Sequence, residues 1–114
     1  MENKINKYLF DIKESIEAIE GYVEEVGDIE SYSEDRKTRR AVEREFEIIG
    51  EAMNRINKLK PEIAISNKRQ IIDMRNKVIH GYDMVNDLVV WGTIQKYLPE
   101  LKAEVVVLLS INDF

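Results

Sequence analysis

Apolar residues recur at intervals of three and four along most of the chain, and this spacing is the strongest constraint on its fold. Such intervals place side chains on one face of an α-helix. The first stripe consists of Ile5, Leu9, Ile12, Ile16, Ile19, Val23 and Val26. Its spacing is near the value of about 3.5 residues that lets helices pack almost parallel. Gly27 and Asp28 are expected to end this first helix.

The same pattern predicts three further helices. The second begins near Ser33 or Glu34 and runs to about Leu59, because Pro61 pushes the residue before it out of the helical region. The third spans about 67–80 and the fourth about 86–111. The stripes of the second and fourth helices consist of Val42, Phe46, Ile49, Met53 and Ile56, and of Trp91, Ile94, Leu98, Leu101, Val105 and Leu108.

A proline lies inside the pattern of the fourth helix. Pro99 removes one backbone hydrogen bond, but the apolar stripe continues in phase beyond it, so a kink is expected and not an end. The predicted fold is therefore all-α, an antiparallel up-and-down four-helix bundle with a kinked last helix. A chain of 114 residues is long enough for one domain and too short for two, so residues 1–114 are expected to form a single helical domain.

Composition argues against several classes of function. The formal net charge of −5 disfavours a protein that coats nucleic acid through a global basic field, although local basic patches remain possible. The chain has no cysteine and one histidine, so neither a metal site nor a cofactor is expected. It has no apolar run of signal-peptide or membrane-span length. No membrane association and a cytoplasmic location are therefore expected.

The sequence "RNKVIHGY" at 75–82 contains that one histidine, His80. The predicted core face of the third helix consists of Ile71, Ile72, Val78 and Ile79. Arg75 falls in the middle of this face, and arginine is rarely buried unless it is paired. Arg75 therefore either forms a structural ion pair, with Glu47 or Glu51 of the second helix, or lines a functional cleft.

His80 has two interpretations of its own. A cationic residue in the last turn, followed by Gly81 in a left-handed conformation and Tyr82 packed back on the helix, is a common helix ending. The alternative is a catalytic imidazole, which Asn76, four residues earlier, could orient. Arg75 and His80 lie about 140° apart around an ideal helix. They can converge only if the helix ends or distorts at His80, or if a second chain completes the site.

The sequence resembles the HepT-like family of HEPN-domain proteins. "RNKVIHGY" matches the R-x-x-x-x-H-x-Y signature of that family. "VEREFEIIGEAMNRI" at 42–56 is similar to the family's second helix, and "VVWGTIQKYLPELKAEV" at 89–105 is similar to its last helix. The resemblance covers roughly residues 5–110 in the right order and spacing. One departure is that the loop after Pro61 lacks a tryptophan before the third helix.

The resemblance implies a usually dimeric, metal-independent RNase that is the toxin of a type VII-like toxin–antitoxin pair. Its antitoxin is a nucleotidyltransferase of the MNT type, which silences the toxin by transferring AMP to the motif tyrosine. Carried over to this chain, Arg75 and His80 would be the catalytic pair, Asn76 would support them, and Tyr82 would accept AMP. The expected partners are RNA, a second copy of the chain and the nucleotidyltransferase.

One alternative is a non-catalytic helical module that binds nucleotide or protein and acts with a nucleotidyltransferase. Another is a chain that serves mainly as the nucleotidyltransferase's substrate.

The chemistry suits these residue types. RNA supplies its own nucleophile, the 2′-hydroxyl; histidine can act as base or acid near neutral pH, and arginine's planar fork suits phosphate oxygens. Lys68, Arg69 and Lys77 are candidates for contacts with the RNA backbone. A second basic cluster, at the start of the second helix, is either a solvated helix start or a surface for RNA or an acidic antitoxin. It consists of Arg36, Lys37, Arg39, Arg40 and Arg44.

Overall fold

The residues that the structure describes form six α-helices. The structure is a computed structural model that describes residues 2–80 and 86–111. The helices are α1 (Glu2–Val26), α2 (Ile29–Glu34), α3 (Arg36–Leu59), α4 (Lys68–His80), α5 (Asp87–Lys96) and α6 (Leu98–Ile111). No strand occurs within the described ranges. The prediction of an all-α helical bundle is confirmed.

The core is one cluster of buried side chains between α1, α3 and the helices packed on them. α1 and α3 lie against each other, α4 packs on α3, and α6 packs on α1. The predicted stripe of α3 is buried throughout. The stripe of α1 is buried from Ile5 to Ile19, whereas Val23 and Val26 are only partly buried against the cluster. Helical periodicity in the sequence therefore identified the faces that form this core.

The first helix ends where the sequence predicted. Gly27 has a φ of +87°, a conformation that favours glycine, and its N–H donates to the carbonyl of Val23 at 2.9 Å. Asp28 then caps α2, because its carboxylate accepts from the N–H of Ser31 at 2.7 Å. Residues 29–34 thus form a short helix that the sequence pattern did not predict.

The predicted start of the second long helix, near Ser33 or Glu34, is corrected to Arg36. Asp35 has extended backbone angles and interrupts the helix between α2 and α3. Its Oδ1 accepts from the N–H of Thr38 at 3.1 Å, which satisfies one of the free N–H groups at the start of α3. Asp35 therefore ends α2 and begins α3.

Burial of Tyr32 explains why α2 exists as a separate helix. Tyr32 is fully buried, and its ring lies 5.4 Å from the ring of Trp91 at a tilt of 48°. Burial raises the pKa of Tyr32, and the carboxylates of Glu43 and Asp87 act in the same direction. Asp87 also lies 3.6 Å from the guanidinium of Arg39. α2, α3 and the start of α5 meet at this point.

The connection between α3 and α4 is held against α6. α3 ends before Pro61, as predicted, with Lys60 as its C-cap. The N–H of Ser66 donates to both carboxylate oxygens of Glu104 at 3.1 Å. Asn67 has a φ of +59°, which asparagine tolerates better than most residues, and its amide donates to Glu100. These contacts fix where α4 begins.

The fourth predicted helix, in which Pro99 was expected to cause a kink, is divided into α5 and α6 just before that proline. α5 and α6 are separated only by Tyr97, whose backbone remains in the helical region. Proline has no N–H and its ring crowds the carbonyl four residues earlier, which disturbs the helix just before it. Ile94, Leu98 and Leu101 are nevertheless buried on one face across the break. No helix in the described parts of the chain has the length and apolarity that a membrane span requires.

Candidate active site

The motif helix α4 rests on α3 through a narrow contact line. Ile71 and Met74 are buried, Ile72 and Val78 are partly buried, and Ile79 is 41% exposed. The prediction that Ile79 belongs to the core face is wrong. Positions 71, 74 and 78 follow the spacing of three and four along one line. Residue 79 lies a further 100° around the helix, away from that line.

Arg75 lies over the one position of α3 that carries no side chain. A Cβ atom added to Gly50 would lie 2.1 Å from Cβ of Arg75 and 2.5 Å from its Cγ. Both distances are far shorter than any contact between carbon atoms. The stem of the arginine therefore packs directly on the backbone of α3, and only glycine at position 50 permits this approach.

The guanidinium of Arg75 is paired and still accessible. Its Nη2 donates to Oε2 of Glu51 at 2.9 Å, and its Nη1 donates to Oδ1 of Asn76 at 3.2 Å. Its Nε is buried and has no hydrogen-bond partner within residues 2–80 and 86–111. The side chain as a whole is 26% exposed. Arg75 therefore forms an ion pair with Glu51, as one interpretation of the sequence predicted. Its guanidinium is also accessible, as the other interpretation requires.

Glu51 holds two arginines at once. Its Oε2 faces Arg75, and its Oε1 accepts from Nε of Arg55 at 3.0 Å. The hydrogen bond with Glu51, followed by interaction with Tyr8, raises the pKa of Arg55. The three charged groups together carry one net positive charge. Sequence analysis missed Arg55, although a glutamate followed four residues later by an arginine is a recognisable helical pair.

His80 is the last residue of α4. Because the helix is continuous from Arg75 to His80, the angle of about 140° between their positions holds in the structure. Positions 75 and 80 therefore lie on different faces of α4. Gly81 and Tyr82 lie outside the described residues, so the helix-ending interpretation and the role of Tyr82 remain predictions.

The predicted RNA-backbone residues differ in their surroundings. The ammonium of Lys68 donates to Oδ1 of Asn57 at 3.0 Å and to the carbonyl of Pro61 at 2.7 Å, so it ties the start of α4 to the end of α3. Arg69 and Lys77 are exposed on α4. These two have their charges available to solvent, whereas Lys68 already makes structural contacts.

The second basic cluster is largely paired with nearby carboxylates. Arg40 lies 3.2 Å from Glu43, and Arg44 lies 4.0 Å from Glu47. Both pairs lie within one turn of α3, and Arg39 bridges to the start of α5. This arrangement is consistent with the interpretation of a solvated helix start. Across the described part of the chain, no group of three or more His, Cys, Asp or Glu side chains has an arrangement that could hold a metal ion.

Comparison with known proteins identifies the family. The family model described as "Ribonuclease HepT-like" matches residues 12–108. The chain belongs to the HepT-like ribonuclease family. This HepT-like chain is 40% identical to "Probable ribonuclease HepT" of Thermococcus cleftensis, over 91% of the chain and 94% of that protein.

Other HepT-like relatives carry provisional RNase names. One from Methanocaldococcus jannaschii is 32% identical over 88% of the chain and 86% of its own length. One from Caldanaerobacter subterraneus is 38% identical over 67% of the chain and 69% of its own length. No solved structure matches the chain significantly. The resemblance seen in the motif "RNKVIHGY" is thus confirmed for the family and for its nuclease class.

Proposed function

We propose that this HepT-like chain is an endoribonuclease that needs no metal ion and uses Arg75 and His80 as its catalytic pair. The observation that carries the proposal is the state of Arg75. Its stem is fixed on Gly50, one side of its guanidinium is held by Glu51, and the group is still partly open to solvent. The chain belongs to a ribonuclease family, and a fixed, accessible guanidinium can stabilise the negative charge that develops on the phosphate during cleavage.

The reaction follows from the chemistry of RNA. A base removes the proton of the 2′-hydroxyl, the 2′-oxygen bonds to phosphorus, and the bond from phosphorus to the 5′-oxygen breaks. The leaving 5′-oxygen takes a proton, so the products are a 2′,3′-cyclic phosphate and a 5′-hydroxyl. His80 performs one of these proton transfers, because imidazole titrates near neutral pH. Arg75 binds the non-bridging phosphate oxygens.

Neighbouring residues support this pair. Asn76 accepts a hydrogen bond from Nη1 of Arg75 and so helps to hold the plane of the guanidinium. Glu51 does the same from α3. Arg69 and Lys77 contact the RNA backbone from the exposed side of α4, and Lys68 contributes a cation at the start of that helix. Glu51 binds only Nη2 of Arg75, so an incoming phosphate can share this arginine.

A second protein regulates the proposed nuclease. The chain acts as the toxin of a type VII-like pair, and an MNT-type nucleotidyltransferase silences it by transferring AMP to Tyr82. Tyr82 lies two residues after His80, so a bulky anion there would block RNA by occupancy and by repulsion. A two-fold homodimer and a single domain over residues 1–114 complete the proposal.

The nuclease is tested by RNA cleavage in the presence of a chelator. We expect wild-type protein to cleave RNA with EDTA present and to leave 2′,3′-cyclic phosphate ends. His80→Ala should lower the rate by about 10²–10⁴-fold, the usual contribution of general acid–base catalysis. A Lys96→Ala variant, changed at an exposed position on α5 and purified in the same way, controls for contaminating nucleases.

Two results would contradict the catalytic assignment. One is undiminished cleavage by a folded His80→Ala protein. The other is the absence of any cleavage by wild type, which would favour a non-catalytic binding module. The pairing of Arg75 with Glu51 is the observation that favours this second candidate, because a structural ion pair alone would explain it.

AMP transfer is tested with a Tyr82→Phe variant. We expect wild type, incubated with a nucleotidyltransferase encoded beside it and ATP, to gain the mass of AMP on Tyr82 and to lose cleavage. Tyr82→Phe should keep its cleavage under the same conditions, because phenylalanine has no hydroxyl to accept AMP. Intact-mass and peptide mass spectrometry provide the readout. A wild-type protein that is silenced without an adduct on Tyr82 would remove this residue from the proposal.

A further inference from the structure

A groove between α1 and α3 lies beside the carboxylate that holds Arg75. It is lined by Lys4, Tyr8, Glu51, Arg55, Lys58 and Leu59. Neither the R-x-x-x-x-H-x-Y motif nor the proposed catalytic pair includes any of these residues. We propose that this groove, called the α1–α3 groove below, binds a nucleotide of the RNA that flanks the scissile phosphate.

Charge is the first argument for RNA in the α1–α3 groove. Among the described residues that line it, three are cations and one, Glu51, is a carboxylate. Lys4 and Lys58 are exposed and form no salt bridge with any described residue. Their charges are therefore available to a phosphate backbone.

The far end of the same seam between α1 and α3 is acidic. A second groove further along is lined by Asp11, Glu14, Glu17 and Glu45, with no lysine or arginine among its residues. A polyanion is repelled from that part of the seam and attracted to the end that contains Lys4 and Lys58. The charge pattern therefore limits RNA to the end of the seam that adjoins Glu51.

An aromatic side chain supplies the second argument. Tyr8 is half-buried, packs against the core with part of its ring, and lines the α1–α3 groove beside Arg55. Proteins that bind single-stranded nucleic acid combine an aromatic ring, on which a base stacks, with cations that follow the backbone. Tyr8 offers the ring, and Lys4 and Lys58 offer the cations.

Continuity with the catalytic arginine is the third argument. The two oxygens of Glu51 bind Arg55 in the groove and Arg75 on α4. α1, α3 and α4 lie side by side, and packed helices are about 8–10 Å apart. A few nucleotides of an extended strand can therefore reach from Arg75 across α3 to Tyr8. This inference rests on the proposed nuclease function, because it assigns a flanking subsite to the same substrate.

The test measures RNA binding in a His80→Ala background, in which cleavage during the measurement should be slowed by about 10²–10⁴-fold. The probe is a short fluorescein-labelled single-stranded RNA of mixed sequence, followed by fluorescence anisotropy at several salt concentrations. We expect Lys4→Glu and Lys58→Glu each to weaken binding by about 3- to 10-fold. Each should also make the slope of log affinity against log salt shallower by about 0.7 for each phosphate that the variant no longer neutralises.

A stacking variant and a charge control separate the contribution of the aromatic ring from that of the cations. Tyr8→Leu should weaken binding by about 5-fold or more and leave the salt slope unchanged, because stacking involves no counterion release. Lys96→Glu reverses an exposed charge on α5, which packs on α2 and α6 away from the groove, and should bind as the parent does. Circular dichroism melting of each variant confirms the fold.

The outcomes separate this inference from the nuclease itself. If wild type cleaves RNA and the groove variants bind as tightly as Lys96→Glu, the groove is rejected and the nuclease stands. If groove-dependent binding is found without any cleavage by wild type, the nuclease is rejected, and with it the flanking of a scissile phosphate, while the groove stands as an RNA-binding surface. If the parent protein binds no RNA, or if the groove variants lose binding to an acidic protein partner but not to RNA, the inference is overturned.

Discussion

At the scale of single residues, Gly50 determines how closely α4 approaches α3. A glycine in the middle of a helix costs about 1 kcal/mol relative to alanine, so its presence there needs a compensating contact. That contact is the stem of Arg75, whose Cβ would lie 2.1 Å from a Cβ at position 50. Arg75 is thus positioned by a residue that has no side chain.

The prediction that follows concerns Gly50→Ala. The added methyl group forces α4 away from α3, so we expect the free energy of unfolding to fall by about 1–3 kcal/mol, as for other overpacked sites. Cleavage should fall as well, because Arg75 shifts relative to its partner Glu51. Urea unfolding and the RNA assay measure the two effects.

A matched control is available in Gly92→Ala on α5. Apart from its chain neighbours and the backbone of its own helix, no atom of the described residues lies within 4 Å of a Cβ built at Gly92, so this change gains helix propensity without a clash. We expect it to raise the free energy of unfolding by about 0.5–1 kcal/mol. Equal effects of the two substitutions would show that position 50 does not hold the two helices together.

At the scale of elements, the junction between α2 and α3 depends on two capping aspartates. Asp28 caps α2 through the N–H of Ser31, and Asp35 caps α3 through the N–H of Thr38. These hydrogen bonds hold the pKa of Asp28 and the pKa of Asp35 below the ordinary value for aspartate. A lowered folded-state pKa contributes stability above the unfolded value, and that stability is lost as the pH falls through the folded value.

The pH dependence of stability tests this arrangement. We expect the melting temperature to decrease as the pH falls below about 4, the ordinary range of aspartate. The Asp28→Asn, Asp35→Asn double variant should lose part of that decrease, since asparagine accepts the same hydrogen bonds without titrating. Circular dichroism melts of wild type and the variant across this range provide the comparison. Identical pH profiles would mean that the two caps contribute nothing to acid unfolding.

At the scale of the whole molecule, a second copy of the chain offers a way to complete the site. α4 is helical from Arg75 to His80, which places the two residues about 140° apart in one chain. Ile79 is exposed on the same helix, next to His80. A two-fold interface at α4 would bring Arg75 of one protomer towards His80 of its partner.

Mixing two inactive variants tests this composite site. Arg75→Ala and His80→Ala chains, refolded together, should recover about a quarter of wild-type cleavage. Half of the dimers formed at random are mixed, and each mixed dimer has one intact site of two. Each variant refolded alone is the control and should stay inactive. Absence of recovery in a mixture that light scattering shows to be dimeric would mean that each chain acts alone.

The sequence by itself determined the buried faces of α1 and α3 and the residues of the motif. Helical periodicity is a local property, so the stripes of α1 and α3 could be assigned without knowing what they face. The ends at Gly27 and Pro61 follow from backbone sterics, which are also local. Arg75 could be identified as unusual because a charge in an apolar stripe is visible in the sequence. Glu47 and Glu51 of the second predicted helix could be named as its candidate ion-pair partners.

Only the tertiary structure decided how these parts meet. It chose Glu51 over Glu47 as the partner of Arg75, and it showed that Gly50 admits the arginine stem. It also separated α2 from α3, because Tyr32 is buried against Trp91, a residue 59 positions later in the chain. The spacing of residues along a helix fixes which side chains share a face. It does not fix which helix lies opposite that face, and contacts between helices depend on that choice.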